Sequence, residues 1–98
     1  MNNPEIIFLN KNQKVEEIDF GIVPVGQTKT LDLIAKNIGS VEVTALVFEI
    51  NHPDVKIIQS PRELKPRQEE HLIFEYTPEY QLDKGLNIKL KVRGIYKV

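Results

Sequence analysis

Residues 18–40 read IDFGIVPVGQTKTLDLIAKNIGS, a stretch in which short apolar and alternating segments are separated by turn residues. The clearest alternation covers residues 28–36, where one face of the segment is apolar. That face carries Leu31, Leu33 and Ala35. A two-residue period of this kind is typical of a half-buried β-strand. The NIGS sequence at residues 37–40 predicts a tight reversal after the strand, with backbone angles in the left-handed region.

Similar short segments recur along the rest of the chain, with breaks between them at Pro, Gly and Asn residues. The predicted strands cover residues 6–9, 18–20, 28–36, 41–50, 55–58, 70–76 and 86–93. Their length and spacing predict an all-β fold, namely an immunoglobulin-like antiparallel β-sandwich of about seven strands. A length of 98 residues predicts one domain over residues 1–98, with a short N-terminal arm at residues 1–14.

The composition narrows the range of possible functions. Thirteen Lys and Arg residues against 14 Asp and Glu residues give a net charge of -1, so no overall positive field attracts nucleic acid or anionic lipid. The absence of cysteine excludes disulfides, thiol nucleophiles and thiolate metal ligands. No basic leader or long apolar run begins the chain. We therefore expect no nucleic acid partner and no membrane span.

Several short motifs follow one another in a fixed order over residues 18–94. They are Ile18-Asp19-Phe20-Gly21, Val25-Gly26, Asn37-Ile38-Gly39, Phe74-Glu75-Tyr76-Thr77-Pro78 and Val92-Arg93-Gly94. Together they resemble the ASH and Hydin-type branch of immunoglobulin-like domains, which is related in fold to the major sperm protein. The resemblance implies a non-enzymatic module of scaffolds, cilia, centrosomes, bacterial surface proteins or viral particles. Two places differ from the family: Pro66-Arg67 stands where Pro-Gly is frequent, and the tail at residues 85–98 is shorter than a full final hairpin.

Candidate catalytic and metal-binding groups are few. The possible metal ligands are His52, Asp54 and His71. A zinc site needs three or four converging ligands. These residues fall in a predicted turn and in a later strand, so convergence is not expected. Carboxylates adjoin one another at residues 16–19 and 69–70, yet neighbouring residues of a strand point to opposite faces. We therefore predict no metal, no cofactor and no enzymatic activity.

A row of basic residues lies on one face of the last predicted strand. Lys89, Lys91 and Arg93 alternate there with apolar residues and form a candidate contact for an acidic protein partner. Lysines on an exposed strand also prevent sheets from associating edge to edge, which is an alternative role for this row. A nucleic acid contact is a third possibility, and the overall charge disfavours it.

The segment at residues 41–50 is apolar on both faces. Val43, Ala45 and Val47 share one face, and whichever face enters the core, the other remains apolar. In an immunoglobulin-like arrangement the neighbouring strand would be residues 70–76, whose outward Ile73 would extend the patch. Val43, Ala45, Val47 and Ile73 are thus the candidate protein interface. Two alternatives are that a loop or the N-terminal arm, at residues 1–10, covers this patch, or that a β-bulge changes the phase of the strand.

These patterns predict a non-enzymatic structural or protein-interaction module that self-associates or docks on a larger assembly. The leading expectation is an auxiliary protein of a bacteriophage virion, acting in decoration or as a connector. The alternative is a cytoplasmic adaptor or targeting module of a larger cytoskeletal or bacterial surface assembly, which binds a peptide or an acidic protein partner through an exposed strand edge.

Overall fold

The structure, a computed structural model, describes residues 5–97, in which nine β-strands and no helix are present. The strands are β1 (Ile6–Asn10), β2 (Gln13–Val15), β3 (Glu17–Gly21), β4 (Lys29–Asn37), β5 (Val43–Glu49), β6 (Val55–Gln59), β7 (Glu69–Tyr76), β8 (Leu86–Lys89) and β9 (Lys91–Tyr96). The all-β prediction is therefore confirmed. The predicted N-terminal arm, residues 1–14, contains β1 and the start of β2, and its first four residues lie outside the described part of the chain.

Three antiparallel sheets make up the described fold. The largest has the strand order β2-β1-β4-β7-β6, and the two others are the pairs β3–β8 and β5–β9. Aromatic contacts connect the small sheets to the large one: the ring centroids of Phe8 and Phe48 lie 6.1 Å apart, and those of Phe20 and Tyr76 lie 5.1 Å apart. All three sheets contribute to one hydrophobic core. This arrangement is compatible with the predicted immunoglobulin-like sandwich.

Nine strands are present where the sequence predicts about seven, for two local reasons. The chain reverses after β1 at Lys11 and Asn12, whose φ angles of 52° and 68° allow a tight hairpin into β2. The segment predicted as one strand at residues 86–93 is divided at Leu90, since β8 pairs with β3 whereas β9 pairs with β5. The alternation of side chains continues across this division, so the sequence pattern does not reveal it.

The buried amide of Asn37 closes the turn after β4. Asn37 is 1% exposed, and its Nδ2 donates hydrogen bonds of 2.9 Å to the carbonyl oxygens of Val41 and Leu64. Its Oδ1 accepts a 2.9 Å hydrogen bond from the backbone N–H of Gly39. The left-handed backbone predicted for residues 37–40 is wrong, because no residue there has a positive φ. The side chain of Asn37 holds the reversal instead, as in other turns closed by Asn.

The backbone of Asn37 also holds the loop that precedes β7. Arg67 has a φ of 69° and donates its N–H to the carbonyl oxygen of Asn37 over 2.8 Å. A residue with a side chain is disfavoured in this left-handed region by about 1–2 kcal/mol. A glycine at position 67 would adopt this backbone angle without that cost.

We predict that Asn37→Ala lowers the free energy of unfolding by about 3 kcal/mol, because the buried carbonyl group of Leu64 and the partly buried one of Val41 lose their donor. Asn87→Ala, at an exposed position on β8, is the control and should change the free energy by less than about 0.5 kcal/mol. Urea denaturation measures both. Equal effects of the two substitutions would show that the buried amide does not stabilise the fold.

Arg67→Gly should raise the free energy of unfolding by up to about 1 kcal/mol, since relief of the left-handed strain exceeds the added flexibility of the unfolded chain. Lys65→Gly is the matched control, an exposed position in the same loop without a positive φ, and it should be destabilising. Thermal or urea denaturation of the two variants shows whether glycine is stabilising at position 67 and destabilising at position 65. Destabilisation by Arg67→Gly would contradict the strain at this position.

Candidate functional site

The four residues of the predicted interface do not form one patch. The expected pairing of residues 41–50 with 70–76 is wrong, because β5 pairs with β9 while β7 lies between β4 and β6. Ile73 is therefore in the five-stranded sheet, partly buried and opposite Asp32 of β4. Val43 is only 1% exposed and belongs to the core.

A β-bulge within β5 explains why Val43 and Val47 lie on different faces. The register between β5 and β9 shifts between Thr44 and Val47, and Ala45 has a φ of 52°. After this shift Leu46 and Phe48 join Val43 in the core, while Val47 remains 42% exposed on the outer face. A bulge that changes the phase, one of the two alternatives to a simple apolar face, is thus the arrangement that the structure contains.

The outer face of β5–β9 combines apolar and charged side chains. Val47 lies opposite Arg93 of β9, and Ile95, two residues further along β9, is 63% exposed. The Arg93 Nε to Glu49 Oε1 distance is 3.0 Å, and Lys97 Nζ lies 3.7 Å from Glu42 Oε1. The cation of each ion pair is exposed to solvent. Each pair therefore contributes little to the free energy of unfolding.

The predicted basic row is exposed but extends over two strands. Lys89 is the last residue of β8 and lies opposite Glu17, while Lys91 begins β9 opposite Glu49. Arg93 engages Glu49, whereas neither lysine forms an ion pair with another residue of the described chain. Lys89 and Lys91 both line a cleft of about 430 Å³ between the first strands and the start of β9. Two residues of the row therefore border a concave site, together with Lys14, Glu16 and Glu17.

Two loops that are joined through their backbones carry exposed apolar side chains that the sequence analysis missed. We call this group the apolar end; it consists of Ile22, Val25, Tyr80 and Leu82. The N–H of Gly26 donates to the carbonyl oxygen of Pro78 over 3.3 Å and joins the two loops. A Cβ on Gly85 would lie 2.7 Å from the carbonyl carbon of Gly21, so the loops also touch closely there. In the sequence, this group is indicated by apolar residues that stand among turn-forming residues.

The two histidines lie in separate environments. The Nδ1 atom of His52 accepts a 3.1 Å hydrogen bond from the backbone N–H of Asp54, and its ring packs edge-on against Tyr76. His71 lies on β7, where its Nδ1 is 2.7 Å from Oδ1 of Asp32 on β4. Over residues 5–97 no group of three or more His, Cys, Asp and Glu residues is arranged to hold a metal ion.

The hydrogen bond with Asp32 raises the pKa of His71 above its ordinary value of 6.5. The negative charge of Asp32 acts in the same direction, and Glu70 adds a smaller contribution. Asp32 and His71 are diagonal neighbours on the outer face of paired strands, and both are about half exposed. The pair can therefore respond to pH, but it lies on an open surface.

Comparisons with protein-family models, with curated proteins and with solved structures give no match for this chain. In the described residues, no helix has the length and apolar character that crossing a membrane requires.

We predict that the contribution of His71 to stability is present at low pH and is lost as the pH rises. Because the folded-state pKa is raised above the unfolded value, the stabilisation is complete below pH 6.5 and disappears as the pH passes the folded pKa. The difference in melting temperature between the wild type and His71→Gln, measured from about pH 5 to about pH 8, tests this. Asp32→Asn should lower the pKa of His71 in an NMR titration, and an unchanged pKa would disprove the pairing.

Proposed function

We propose that this protein is a non-enzymatic structural module that associates with copies of itself through the apolar end. The observation that carries the proposal is the distribution of exposed apolar side chains. Within residues 5–97 eight large apolar side chains are exposed, and four of them belong to the apolar end. Tyr80 is the most exposed of all, at 77%. Gathered apolar side chains on a protein surface mark sites of interaction.

A second copy of the chain fits this end by its charge as well as by its apolar character. Asp83 and Lys84 follow Leu82 directly and place both signs of charge beside the apolar side chains. A copy related by a two-fold axis can then oppose unlike charges across the contact. The net charge of -1 is also too small for strong repulsion between copies.

The expected strength of this contact bears on its biological setting. Covering a half-exposed apolar side chain contributes about 1 kcal/mol, whereas association of two molecules costs at least about 4 kcal/mol. A contact between two isolated copies is therefore weak. Many such contacts on one particle act together and become strong. The setting that we propose is accordingly a decoration or connector protein of a bacteriophage virion, and the resemblance to ASH and Hydin-type domains supports it.

Static light scattering of the unfractionated protein, over about a hundredfold range of concentration that reaches about 1 mM, tests this weak self-association. We expect the mean mass of the wild type to rise with concentration. The double variant Val25→Asp, Tyr80→Asp should remain monomeric, because both side chains are exposed and each introduced charge repels its copy. Ile58→Asp is the matched control, since Ile58 is 54% exposed on β6, and this variant should behave like the wild type.

Two outcomes would contradict the proposal. A wild type that is monomeric over the whole range would rule out self-association. An oligomer dispersed by Val47→Lys, but not by the double variant at the apolar end, would place the contact on the outer face of β5–β9 instead.

A further inference from the structure

Asp54 lies in the tight turn that leads into β6. The N–H of Val55 donates to the carbonyl oxygen of His52 over 3.3 Å and closes this turn. Pro53 takes the second position of the turn, for which the fixed φ of proline is suited. The N–H of Asp54 donates to Nδ1 of His52 over 3.1 Å. Both the turn and the histidine ring therefore fix the backbone of Asp54.

This turn holds the segment that follows β7. The carbonyl oxygen of Asp54 accepts a 3.2 Å hydrogen bond from the N–H of Thr77, one step beyond the last pair of β6 and β7. The next residue, Pro78, has no N–H, so the backbone alone cannot continue the ladder there. Instead, Oδ2 of Asp54 accepts a 3.1 Å hydrogen bond from the N–H of Glu79. The side chain of Asp54 thus extends the pairing past the proline.

The loop after β3 holds the same segment from a second side. Pro78 is buried, and its carbonyl oxygen accepts a 3.3 Å hydrogen bond from the N–H of Gly26. The hydroxyl oxygens of Thr28 and Thr77 lie 2.6 Å apart. Residues 77–79 are therefore bonded both to the turn before β6 and to the loop after β3. Tyr80 follows them directly in the chain.

The carboxylate of Asp54 serves this backbone contact rather than an ion pair. Among the ion pairs within residues 5–97, none includes Asp54. A carboxylate oxygen and an amide oxygen can both accept a hydrogen bond from an N–H. An amide at position 54 would therefore keep the acceptor for Glu79 and remove the negative charge.

The hold on residues 77–79 bears on the strength of the contact at the apolar end. Tyr80 and Leu82 belong to the apolar end and lie within residues 77–85, between β7 and β8, where the chain forms no strand. A loop that is free to move loses conformational freedom when it enters a contact, and this loss weakens association. A loop that is already fixed at residues 77–79 avoids part of that loss.

We propose that Asp54 is a positioning residue for self-association, because it holds the loop after β7 in the form that presents Tyr80 to the second copy. Asp54 does not need to contact the second copy, since it acts through its hydrogen bonds to Thr77 and Glu79. The inference rests on the proposed function, and it identifies a residue outside the apolar end on which that function depends.

The test compares Asp54→Ala with Asp54→Asn. Both variants remove the charge, but only Asp54→Ala removes the oxygen that accepts from the N–H of Glu79. Static light scattering of the unfractionated protein up to about 1 mM measures how the mean mass rises with concentration. We expect the initial slope of this rise to be about tenfold smaller in Asp54→Ala than in the wild type. Asp54→Asn should stay within about threefold of the wild type.

Two further measurements separate positioning from a general loss of stability. Lys65→Gly should also destabilise the fold, but Lys65 precedes β7 whereas Thr77 follows it, so this variant should associate like the wild type. Hydrogen exchange of the Glu79 amide, followed by NMR in dilute and therefore monomeric protein, reports the loop directly. This amide should exchange at least about tenfold faster in Asp54→Ala than in Asp54→Asn.

The outcomes distinguish this inference from the proposed function. A wild type whose mean mass does not rise with concentration would contradict the proposed function, and this inference with it. A wild type that associates and an Asp54→Ala variant with the same slope would overturn the inference alone. Equal weakening by Asp54→Ala and Lys65→Gly would overturn it as well, because loss of stability would then be the cause. Equal exchange of the Glu79 amide in the two Asp54 variants would also overturn it.

Discussion

The hydrogen bonds of the buried Asn37 amide position the segment that borders β5 in the β5–β9 sheet. By donating to the carbonyl oxygen of Leu64, Asn37 holds that residue beside β5, where Leu64 and Val43 exchange two backbone hydrogen bonds. Arg62 accepts another from Leu46 on the same edge. Residues 62–64 thus cover the outer edge of β5. Because buried polar groups require partners, the amide and this covering segment stabilise each other.

Residues 62–64 border one edge of β5, and β9 pairs with the other edge. β9 is paired on one side, and β3 extends only far enough along the other side to meet Leu90. The apolar end lies in the loops that follow β3 and β7.

The alternation of apolar and polar residues was sufficient to predict a strand and its buried face where one face of the strand is buried and the other is polar. β4 and β7 follow the predicted pattern, with Leu33, Leu72 and Phe74 almost completely buried. The same reasoning was insufficient for β5, because both of its faces are apolar and its bulge places Ala45 at a φ of 52°, an angle for which Ala gives no signal. The division of residues 86–96 into β8 and β9 at Leu90 could not be predicted from the sequence either, because it depends on which strands pair with each half.

The sequence by itself determined that the chain forms short antiparallel strands, where most of them lie, and that no strong charge or cysteine chemistry directs its function. These properties follow from local periodicity and composition, which each segment carries alone. Only the tertiary structure decided that Val43 is buried while Val47 is exposed, that the apolar end lies in two joined loops, and that β8 and β9 pair with different strands. Each of those depends on contacts between residues far apart in the chain, and a shift of one residue in strand register reverses which side chains face the core.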